Sequence, residues 1–292
     1  MDITLLMLLQ TNLLAFCLLA ALFGLIIGSF LNVVIHRTPI VMMRRWHQDC
    51  QELNGQATSE TLQEKYNLIT PRSRCPHCGH AISAMENIPL ISYIWLRGKC
   101  SACGHSISLR YPLVELLSAL FTAATAWHFG LNTAGLAAIL LTWVLIALSA
   151  IDIDHHLLPD VMVLPFLWLG LILNLFNLFT PLSSAVIGAV TGYLSLWLVF
   201  HLFKLITGKE GMGYGDFKLF ALFGAWLGWQ SLPLIILLSS LVGAIVGIGL
   251  IVFQGRDRAK PLPFGPYLAT AGWVAMLWGD EIMRHYLQLA RF

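Results

Sequence analysis

The sequence predicts an all-α polytopic membrane protein, because the chain is strongly apolar, poorly charged and divided into apolar segments of helical length. Of its 292 residues, 58% are hydrophobic and only 11% are charged, and the mean hydropathy is +0.75. In ordinary soluble proteins about a quarter of the residues are charged. The composition therefore excludes a soluble enzyme, and the net charge of +2 is too small to indicate a nucleic-acid-binding protein.

The first apolar segment, residues 13–35, contains 23 residues and no charge. At about 1.5 Å per residue, a helix of this length crosses a hydrocarbon core of about 30 Å. Gly24 and Gly28 are four residues apart and leave one face of this helix without side chains. Because such spacing lets two membrane helices approach closely, we expect another helix to pack against this face.

Seven further apolar segments follow a polar stretch that extends from about residue 37 to residue 110. With the first segment they predict about eight transmembrane helices. Their positions are 112–128, 134–151, 161–179, 184–206, 217–232, 234–253 and 266–283. Little more than Pro233 separates the sixth and seventh spans, counted from the first.

Lysine and arginine fall almost entirely on one side of this predicted topology. Fifteen of the 17 lie in the polar stretch, around the ends of the fifth and sixth spans, or before the eighth. Because short cytoplasmic loops carry the excess of positive residues, the polar stretch is predicted to be cytoplasmic and both termini to be outside. The ends of the third span and the start of the sixth then reach the same cytoplasmic face.

Four of the six cysteines form two C-x2-C pairs, Cys75 with Cys78 and Cys100 with Cys103. The gap of 21 residues between the pairs is slightly longer than the gap of about 15–20 that is usual in zinc sites. Four thiolates complete the tetrahedral shell of Zn²⁺ and leave no open position. Two disulfides are the alternative, but the predicted cytoplasmic location disfavours them. We therefore predict a structural zinc site that holds a small loop domain together.

Two aspartates lie where apolar segments meet polar loops, and they are the candidates for acid/base chemistry. Asp152 follows the span 134–151, and Asp216 follows Gly213 and Gly215, whose missing side chains permit a close approach by a substrate backbone. A carboxylate inside a bilayer costs about 2.5–3.5 kcal/mol on insertion scales, so its presence needs a reason. If the two carboxyl groups meet, they share one proton. One then activates water while the other protonates the scissile carbonyl or the leaving amine.

The segment after the third span contains two further aspartates, and spacing alone does not prefer Asp152 over Asp154. We expect Asp154 to be solvated and Asp160 to cap the helix that begins at Val161. A membrane transporter is an alternative reading, although it predicts acidic residues near mid-membrane rather than beside glycine turns. A non-catalytic zinc-bearing assembly factor is another, but it leaves the G-x-G-D motif unexplained.

Further motifs surround the cysteines and the aspartates and extend over nearly the whole chain. They lie at residues 28–39, 86–89, 96–100, 110–115, 152–160 and 213–219. In this order and in one polytopic chain, they resemble those of the bacterial type IV prepilin peptidases, the leader peptidase/N-methyltransferase family of membrane aspartic proteases.

This resemblance implies catalysis by the first aspartate of D-x-D-x-x-x-L-P-D and the aspartate of G-x-G-D, here Asp152 and Asp216, with Gly213 and Gly215 as the supporting loop. It implies cleavage of a leader from type IV prepilins or type II secretion pseudopilins at the cytoplasmic face of the bacterial inner membrane. The cut falls after a glycine that precedes the hydrophobic helix of the substrate. It also implies methylation of the new N-terminal amine from S-adenosylmethionine, an activity associated with the zinc-bearing loop.

The methyl-donor site is poorly specified, because no glycine-rich fingerprint of a Rossmann-type site is present. The candidates are polar or permissive residues of the loop and of the helix ends beside it: Asn32, Arg37, Glu86, Gly98 and Glu115. Each has a structural alternative, such as a hydrogen bond between helices or a charge that anchors the topology. We therefore expect a first transmembrane helix at 1–36, a cytoplasmic zinc-binding loop domain at 37–111 and a transmembrane aspartic peptidase core at 112–292.

Overall fold

A computed structural model describes residues 12–54, 66–254 and 262–289. Within these ranges the chain is almost entirely helical, with two isolated β-bridges in the polar loop. The predicted all-α fold is therefore confirmed. Part of the charge argument for orientation depends on residues outside the described ranges, namely Lys65, Arg256, Arg258, Lys260 and Arg291.

The chain divides into two compact units, Met1–Leu131 and Asn132–Phe292. The helices of the first unit are α1 (Leu13–Leu53), a 3₁₀ turn at Met85–Asn87, α2 (Ile91–Trp95) and α3 (Arg110–Phe129). Those of the second are α4 (Thr133–His155), α5 (Asp160–Asn174), α6 (Leu182–Thr207), α7 (Tyr214–Leu227), a 3₁₀ turn at Trp229–Ser231, α8 (Leu232–Gln254) and α9 (Gly265–Leu289). A helix is thus present at each of the eight apolar segments that the sequence predicts.

The first helix is longer than its apolar segment. The predicted span ends at Ile35, whereas α1 continues to Leu53 and contains Pro39. A change from apolar to charged residues ends a membrane span but not a helix, and the extension is rich in Met, Arg and Gln, which favour helix. It ends where the N–H of Asn54 donates to the carbonyl oxygen of Cys50 at 3.2 Å.

Four helices in the described part of the chain are long and apolar enough to cross a membrane. They are α1, α4, α6 and the helical segment Trp229–Phe253. Two other apolar helices are shorter, with 15 residues in α5 and 14 in α7. The chain is therefore a membrane protein by composition and helix length, and the number of about eight spans stays a prediction.

In the first unit, α1 packs closely on α3 through the two glycines that the sequence singles out. A Cβ atom on Gly28 would lie 2.7 Å from the Cα atom of Glu115, and one on Gly24 would lie 2.9 Å from the Cα atom of Ala119. Any larger side chain at these positions would therefore push the backbone of α3 away. The predicted close approach at this glycine face is confirmed.

In the second unit, α7 forms the core and contacts α5, α6 and α9. Its buried residues continue without interruption from Leu219 to Trp226. At the crossing with α6, a Cβ atom on Gly188 would overlap the carbonyl group of Gly224 and lie 2.8 Å from the backbone nitrogen of Trp229. This helix is buried on all sides, which explains why a period of 3.6 residues is hard to see in its sequence.

A fully buried amide, Asn174, holds the C-terminal end of α7. Its Nδ2 donates to the carbonyl oxygens of Ala225 at 2.8 Å and Trp226 at 3.0 Å. Its Oδ1 accepts from the backbone N–H groups of Phe179 at 3.0 Å and Thr180 at 3.1 Å. The last carbonyls of a helix have no partner within it, so this side chain satisfies two groups that would otherwise be buried without a hydrogen bond.

Candidate functional site

Asp152 lies in the last turn of α4 and is buried, with 6% of its surface exposed. The helix ends because His156 adopts a left-handed conformation with φ of 52°, and its N–H donates to the carbonyl oxygen of Asp152 at 2.9 Å. The carboxyl group of Asp152 accepts a second backbone hydrogen bond at Oδ2, from the N–H of Gly265 at 2.9 Å. The side chain is therefore held between the end of α4 and the start of α9.

Asp216 lies in the first turn of α7 and is buried to the same degree, with 7% exposed. Gly213 is the N-cap residue of this helix, and its carbonyl oxygen accepts the N–H of Asp216 at 3.2 Å. A Cβ atom on Gly213 would lie 3.6 Å from the Oδ2 atom of Asp216, so Gly213 also lies beside the carboxyl group. The glycine turn that the sequence predicts before Asp216 is thus the segment that positions it.

The segments that support the two carboxyl groups pack together in the second unit. Leu158 lies between their supporting segments. A Cβ atom on Gly215 would lie 2.8 Å from the Cβ atom of Leu158, and one on Gly265 would lie 3.2 Å from its Cδ2 atom. Three segments far apart in the sequence therefore converge on one buried acidic pair.

The other two aspartates of the segment after α4, Asp154 and Asp160, are exposed, whereas Asp152 is buried. Asp160 lies within the first turn of α5 after the N-cap Pro159, and the structure gives it no capping hydrogen bond. The prediction that Asp160 caps this helix is therefore wrong. Instead, Lys218 donates to both of its carboxylate oxygens at 2.7 Å. This ion pair connects the first turns of α5 and α7 beside the acidic pair.

Sequence reasoning missed Gly265. The contact between Gly265 and Asp152 joins residues 113 positions apart, so no local pattern shows it. One signal was present in the sequence. Gly265 stands immediately before Pro266, where a predicted span begins, much as Gly215 stands two positions before the span that begins at Phe217.

The four predicted zinc ligands form one cluster in the first unit. The Sγ atoms of Cys75 and Cys103 are 4.0 Å apart, those of Cys78 and Cys100 are 3.9 Å apart, and all four lie within 4.8 Å of one another. Tetrahedral zinc with Zn–S bonds of about 2.3 Å places its sulfur ligands about 3.8 Å apart. All six cysteines are free thiols, so the disulfide alternative finds no support. The cluster fits a closed four-sulfur metal site.

The two cysteine pairs have the same local structure. In each, the glycine after the second cysteine has a positive φ, 73° at Gly79 and 70° at Gly104. Its N–H donates to the carbonyl oxygen of the first cysteine at 2.9 Å in both turns. An L side chain rarely adopts this backbone conformation, which is why glycine follows each pair.

Glu86 connects the two cysteine turns. Its carboxylate accepts the backbone N–H of Ser83 at 2.8 Å, approaches the ring of His80 at 3.3 Å and accepts the hydroxyl of Ser101. His80 follows the first pair and Ser101 lies within the second. These hydrogen bonds, chiefly the one from Ser101, lower the pKa of Glu86 to about 2, so the side chain is ionised at neutral pH.

Arg37 and Asn32 attach the loop to the helices of the first unit. The guanidinium group of Arg37 donates to the carbonyl oxygens of Asn67 at 2.9 Å and Pro71 at 2.6 Å. Asn32 donates from Nδ2 to the carbonyl oxygen of Tyr111 at 3.1 Å. Both side chains are buried, and these contacts explain why polar groups occur at the end of an apolar helix segment.

Glu115 and Gly98 have comparable structural contacts. Glu115 accepts the backbone N–H of Leu90 at 2.9 Å. Gly98 has a φ of 68°, and a Cβ atom there would lie 2.8 Å from the hydroxyl oxygen of Tyr93. All five methyl-transfer candidates therefore make contacts that order the loop or attach it to α1 and α3.

Both halves of the chain match known protein families. Residues 22–129 match the model of the bacterial peptidase A24 N-terminal domain, and residues 139–248 match that of the type IV leader peptidase family. No solved structure matches the chain.

Curated relatives match over nearly their full lengths. The prepilin leader peptidase/N-methyltransferase of Pseudomonas aeruginosa is 59% identical over 96% of this chain and 96% of its own. The protein of that name in Stutzerimonas stutzeri is 59% identical over 97% and 98%, and that in Aeromonas hydrophila is 58% identical over 92% and 93%. The chain belongs to the type IV leader peptidase family.

Proposed function

We propose that this chain removes the leader peptide of type IV prepilins and type II secretion pseudopilins and then methylates the new N-terminus. The observation that carries the peptidase half is that Asp152 and Asp216 are both buried beside segments that pack on Leu158, although 64 positions separate them in the sequence. Catalytic carboxyl groups of this kind work as a pair that shares one proton. Asp154 and Asp160 are exposed and take no part.

The acidic pair performs peptide hydrolysis in two stages, addition of water and collapse of the intermediate, and moves protons in both. The ionised carboxylate removes a proton from water, and the resulting oxygen nucleophile attacks the scissile carbonyl carbon while the protonated carboxyl group donates to the carbonyl oxygen. The tetrahedral intermediate then collapses and the C–N bond breaks. The departing nitrogen takes up the proton that the first carboxyl group gained from water, and a hydroxyl of the intermediate returns a proton to the other carboxylate. The pair regains its single shared proton, the leader leaves with a new carboxyl terminus, and the mature chain has a new amine.

The position of the pair at helix ends suits a substrate whose hydrophobic helix stays in the bilayer. Asp152 lies in the last turn of a membrane-length helix, and Asp216 lies in the first turn of α7. A bond at the membrane boundary reaches such a site without unfolding the substrate helix in lipid, where unpaired backbone groups are costly. The excess of basic residues supports a location at the cytoplasmic face of the inner membrane.

The methyl-transfer half is assigned to the first unit, with Zn²⁺ in a structural role. Bound S-adenosylmethionine would supply the methyl group to the amine of the mature chain. Cys75, Cys78, Cys100 and Cys103 would hold the zinc ion, and their closed arrangement leaves no position for a substrate. The residues Asn32, Arg37, Glu86, Gly98 and Glu115 would shape the surrounding loop.

The alternatives have less support. A transporter would need its carboxyl groups along a path across the bilayer, whereas this pair lies at the ends of two helices. A non-catalytic assembly factor gives no reason to bury two acidic side chains against each other.

The experiment that tests the peptidase assignment uses the full chain in detergent with a purified prepilin, followed by mass spectrometry. Asp152→Asn and Asp216→Asn should each lower the cleavage rate by roughly 10²–10⁴-fold, because each removes one proton-transfer group. Asp154→Asn is the matched control, exposed and two positions away, and should cleave at the wild-type rate. Wild-type cleavage by either of the first two variants would reject the assignment.

The same assay tests the second activity. Added S-adenosylmethionine should increase the mass of the mature product by one methyl group, in the wild type and in the Asp154→Asn control. If the mass of the product stays unchanged, the methyl-transfer half of the proposal fails while the peptidase half stands.

A further inference from the structure

Gly265 begins α9 at the point where this helix meets the acidic pair. Its backbone N–H donates to the Oδ2 atom of Asp152 at 2.9 Å, in a buried environment. A backbone donor has a fixed direction, because the helix that begins at Gly265 determines it. The hydrogen bond therefore fixes one oxygen of the Asp152 carboxyl group and leaves the other, Oδ1, for the reacting atoms.

The missing side chain of Gly265 is as important as its N–H. A Cβ atom at this position would lie 2.7 Å from Oδ2 and 3.2 Å from Cγ of Asp152. Real Cβ atoms do not approach other heavy atoms to 2.7 Å, so the carboxyl group would have to turn or move. The nearest obstacle is thus the end of a side chain and not backbone. The helices can therefore keep their positions, but the carboxyl group of Asp152 has to change its orientation.

The second aspartate is held differently, which makes the contact at Gly265 specific. Gly213 lies beside the other carboxyl group, that of Asp216, and its carbonyl oxygen accepts the backbone N–H of that residue at 3.2 Å. A Cβ atom on Gly213 would lie 3.6 Å from the Oδ2 atom of Asp216, which is an ordinary van der Waals distance. Of the glycines at the site, Gly265 is therefore the one whose missing side chain leaves room for a carboxyl group itself, whereas the missing side chain of Gly215 leaves room for Leu158.

We propose that Gly265 is a positioning residue of the peptidase site, which orients the Asp152 carboxyl group by one backbone hydrogen bond and by the space left free of a side chain. The acidic pair is then a three-segment site, formed by the end of α4, the glycine turn before α7 and the start of α9. This inference deepens the proposed function and rests on Asp152 being catalytic.

Kinetics of prepilin cleavage test the positioning role. Gly265→Ala should lower kcat by about tenfold to a hundredfold, since a displacement on the order of 1 Å can cost that much, and leave KM within about twofold because Gly265 orients the acid and not the substrate. Gly265→Val should lower kcat more than Gly265→Ala does, because its side chain is larger. Gly279→Ala on the same helix is the matched control: its Cβ atom would meet neighbours only at 3.8 Å or more, so kcat should stay unchanged.

A double-mutant cycle on thermal stability tests the contact independently of catalysis. Gly265→Ala should lower the unfolding midpoint less in the Asp152→Ala background than in the wild type, because the nearest atoms that the new methyl group meets, Oδ2 and Cγ of Asp152, are then absent while Leu158 remains. If Gly265→Ala alone does not fold, folding of the double variant Gly265→Ala/Asp152→Ala tests the same contact.

The outcomes separate the two proposals. Cleavage at the wild-type rate by Asp152→Asn would reject the aspartate assignment and this inference with it. If Asp152→Asn is inactive but Gly265→Ala retains the wild-type kcat, the inference alone is overturned. A stability loss in Gly265→Ala that persists undiminished in the Asp152→Ala background would also overturn it, because the strain would then lie elsewhere. A reduced kcat, an unchanged KM and a smaller stability loss in the Asp152→Ala background together support it.

Discussion

The cysteine cluster of the first unit and the acidic pair of the second are assembled by opposite means. Each cysteine pair is a complete local turn, closed by a glycine with positive φ and one backbone hydrogen bond. The acidic pair has no local structure of its own and exists only because three helices end or begin at the same place. Polar loops can thus build a site from sequence neighbours, whereas an apolar bundle builds one from helix packing.

The two sites also differ in what holds their charged groups. In the loop, the carboxylate of Glu86 is surrounded by side chains and one backbone N–H. In the bundle, the carboxyl group of Asp152 accepts the backbone N–H of a glycine, Gly265. A glycine backbone donor adds no side chain to a crowded apolar interior, which suits a site between tightly packed helices.

The largest expected effect separates the two sites by removing the cluster. A Cys75→Ser/Cys100→Ser variant takes one ligand from each turn and should lose zinc, which contributes about 10–16 kcal/mol to folding in zinc-finger peptides. We expect loss of bound zinc by elemental analysis and loss of methyl transfer, with leader cleavage retained. Cys50→Ser, an exposed cysteine outside the cluster, is the control.

Loss of cleavage in the cysteine variant, with the bundle still folded, would contradict the separation of the two activities. It would mean that the loop also contributes to the peptidase site.

An intermediate effect is expected from the helix crossing that supports the acidic pair. Gly188→Ala would bring a methyl group into the backbone of α7, and overpacking of this kind costs about 1–3 kcal/mol. Thermal unfolding in detergent should show a lower midpoint, and cleavage should fall as α7 shifts. Gly249→Ala is the matched control, because no neighbour lies within 4 Å of its Cβ position. Equal midpoints for both variants would show that α6 and α7 are not tightly packed at this crossing.

The smallest expected effect concerns the ion pair beside the acidic pair. Lys218 and Asp160 are partly exposed, with 28% and 53% of their side chains accessible, so solvent screening weakens their attraction. Lys218→Met should cost no more than about 1 kcal/mol of unfolding free energy, the usual range for such a pair. Chemical denaturation of the wild type, Lys218→Met, Asp160→Asn and the double variant measures the coupling. A coupling free energy well above this range would contradict the prediction that the ion pair contributes little to stability.

The sequence predicted those parts of the molecule that have a local signature. The four cysteines stand in a fixed spacing, and Asp216 is preceded by two glycines, so both were recognisable without a structure. The eight helices were recognisable because each is a run of apolar residues, and Gly24 and Gly28 because their spacing suits helix packing.

What the sequence did not predict depends on contacts between distant segments. Gly265 meets Asp152 across 113 positions, and Asp160 meets Lys218 across 58, so neither partner was visible from its neighbours. The extension of α1 to Leu53 was missed because the change to polar residues was read as the end of a helix. In each case the deciding interaction is tertiary, and a local pattern carries no information about it.

The two hydrogen bonds that Asn174 donates to the last turn of α7 also affect the opposite end of that helix. Asp216 is ten residues from Trp226, or about 15 Å along the axis at 1.5 Å per residue. The amide donates to two consecutive carbonyl groups. A shift of α7 along its axis would therefore break buried hydrogen bonds that water could not replace. The hydrogen bonds of Asn174 at the C-terminal end of α7 therefore determine the position of Asp216 along the helix axis at the N-terminal end.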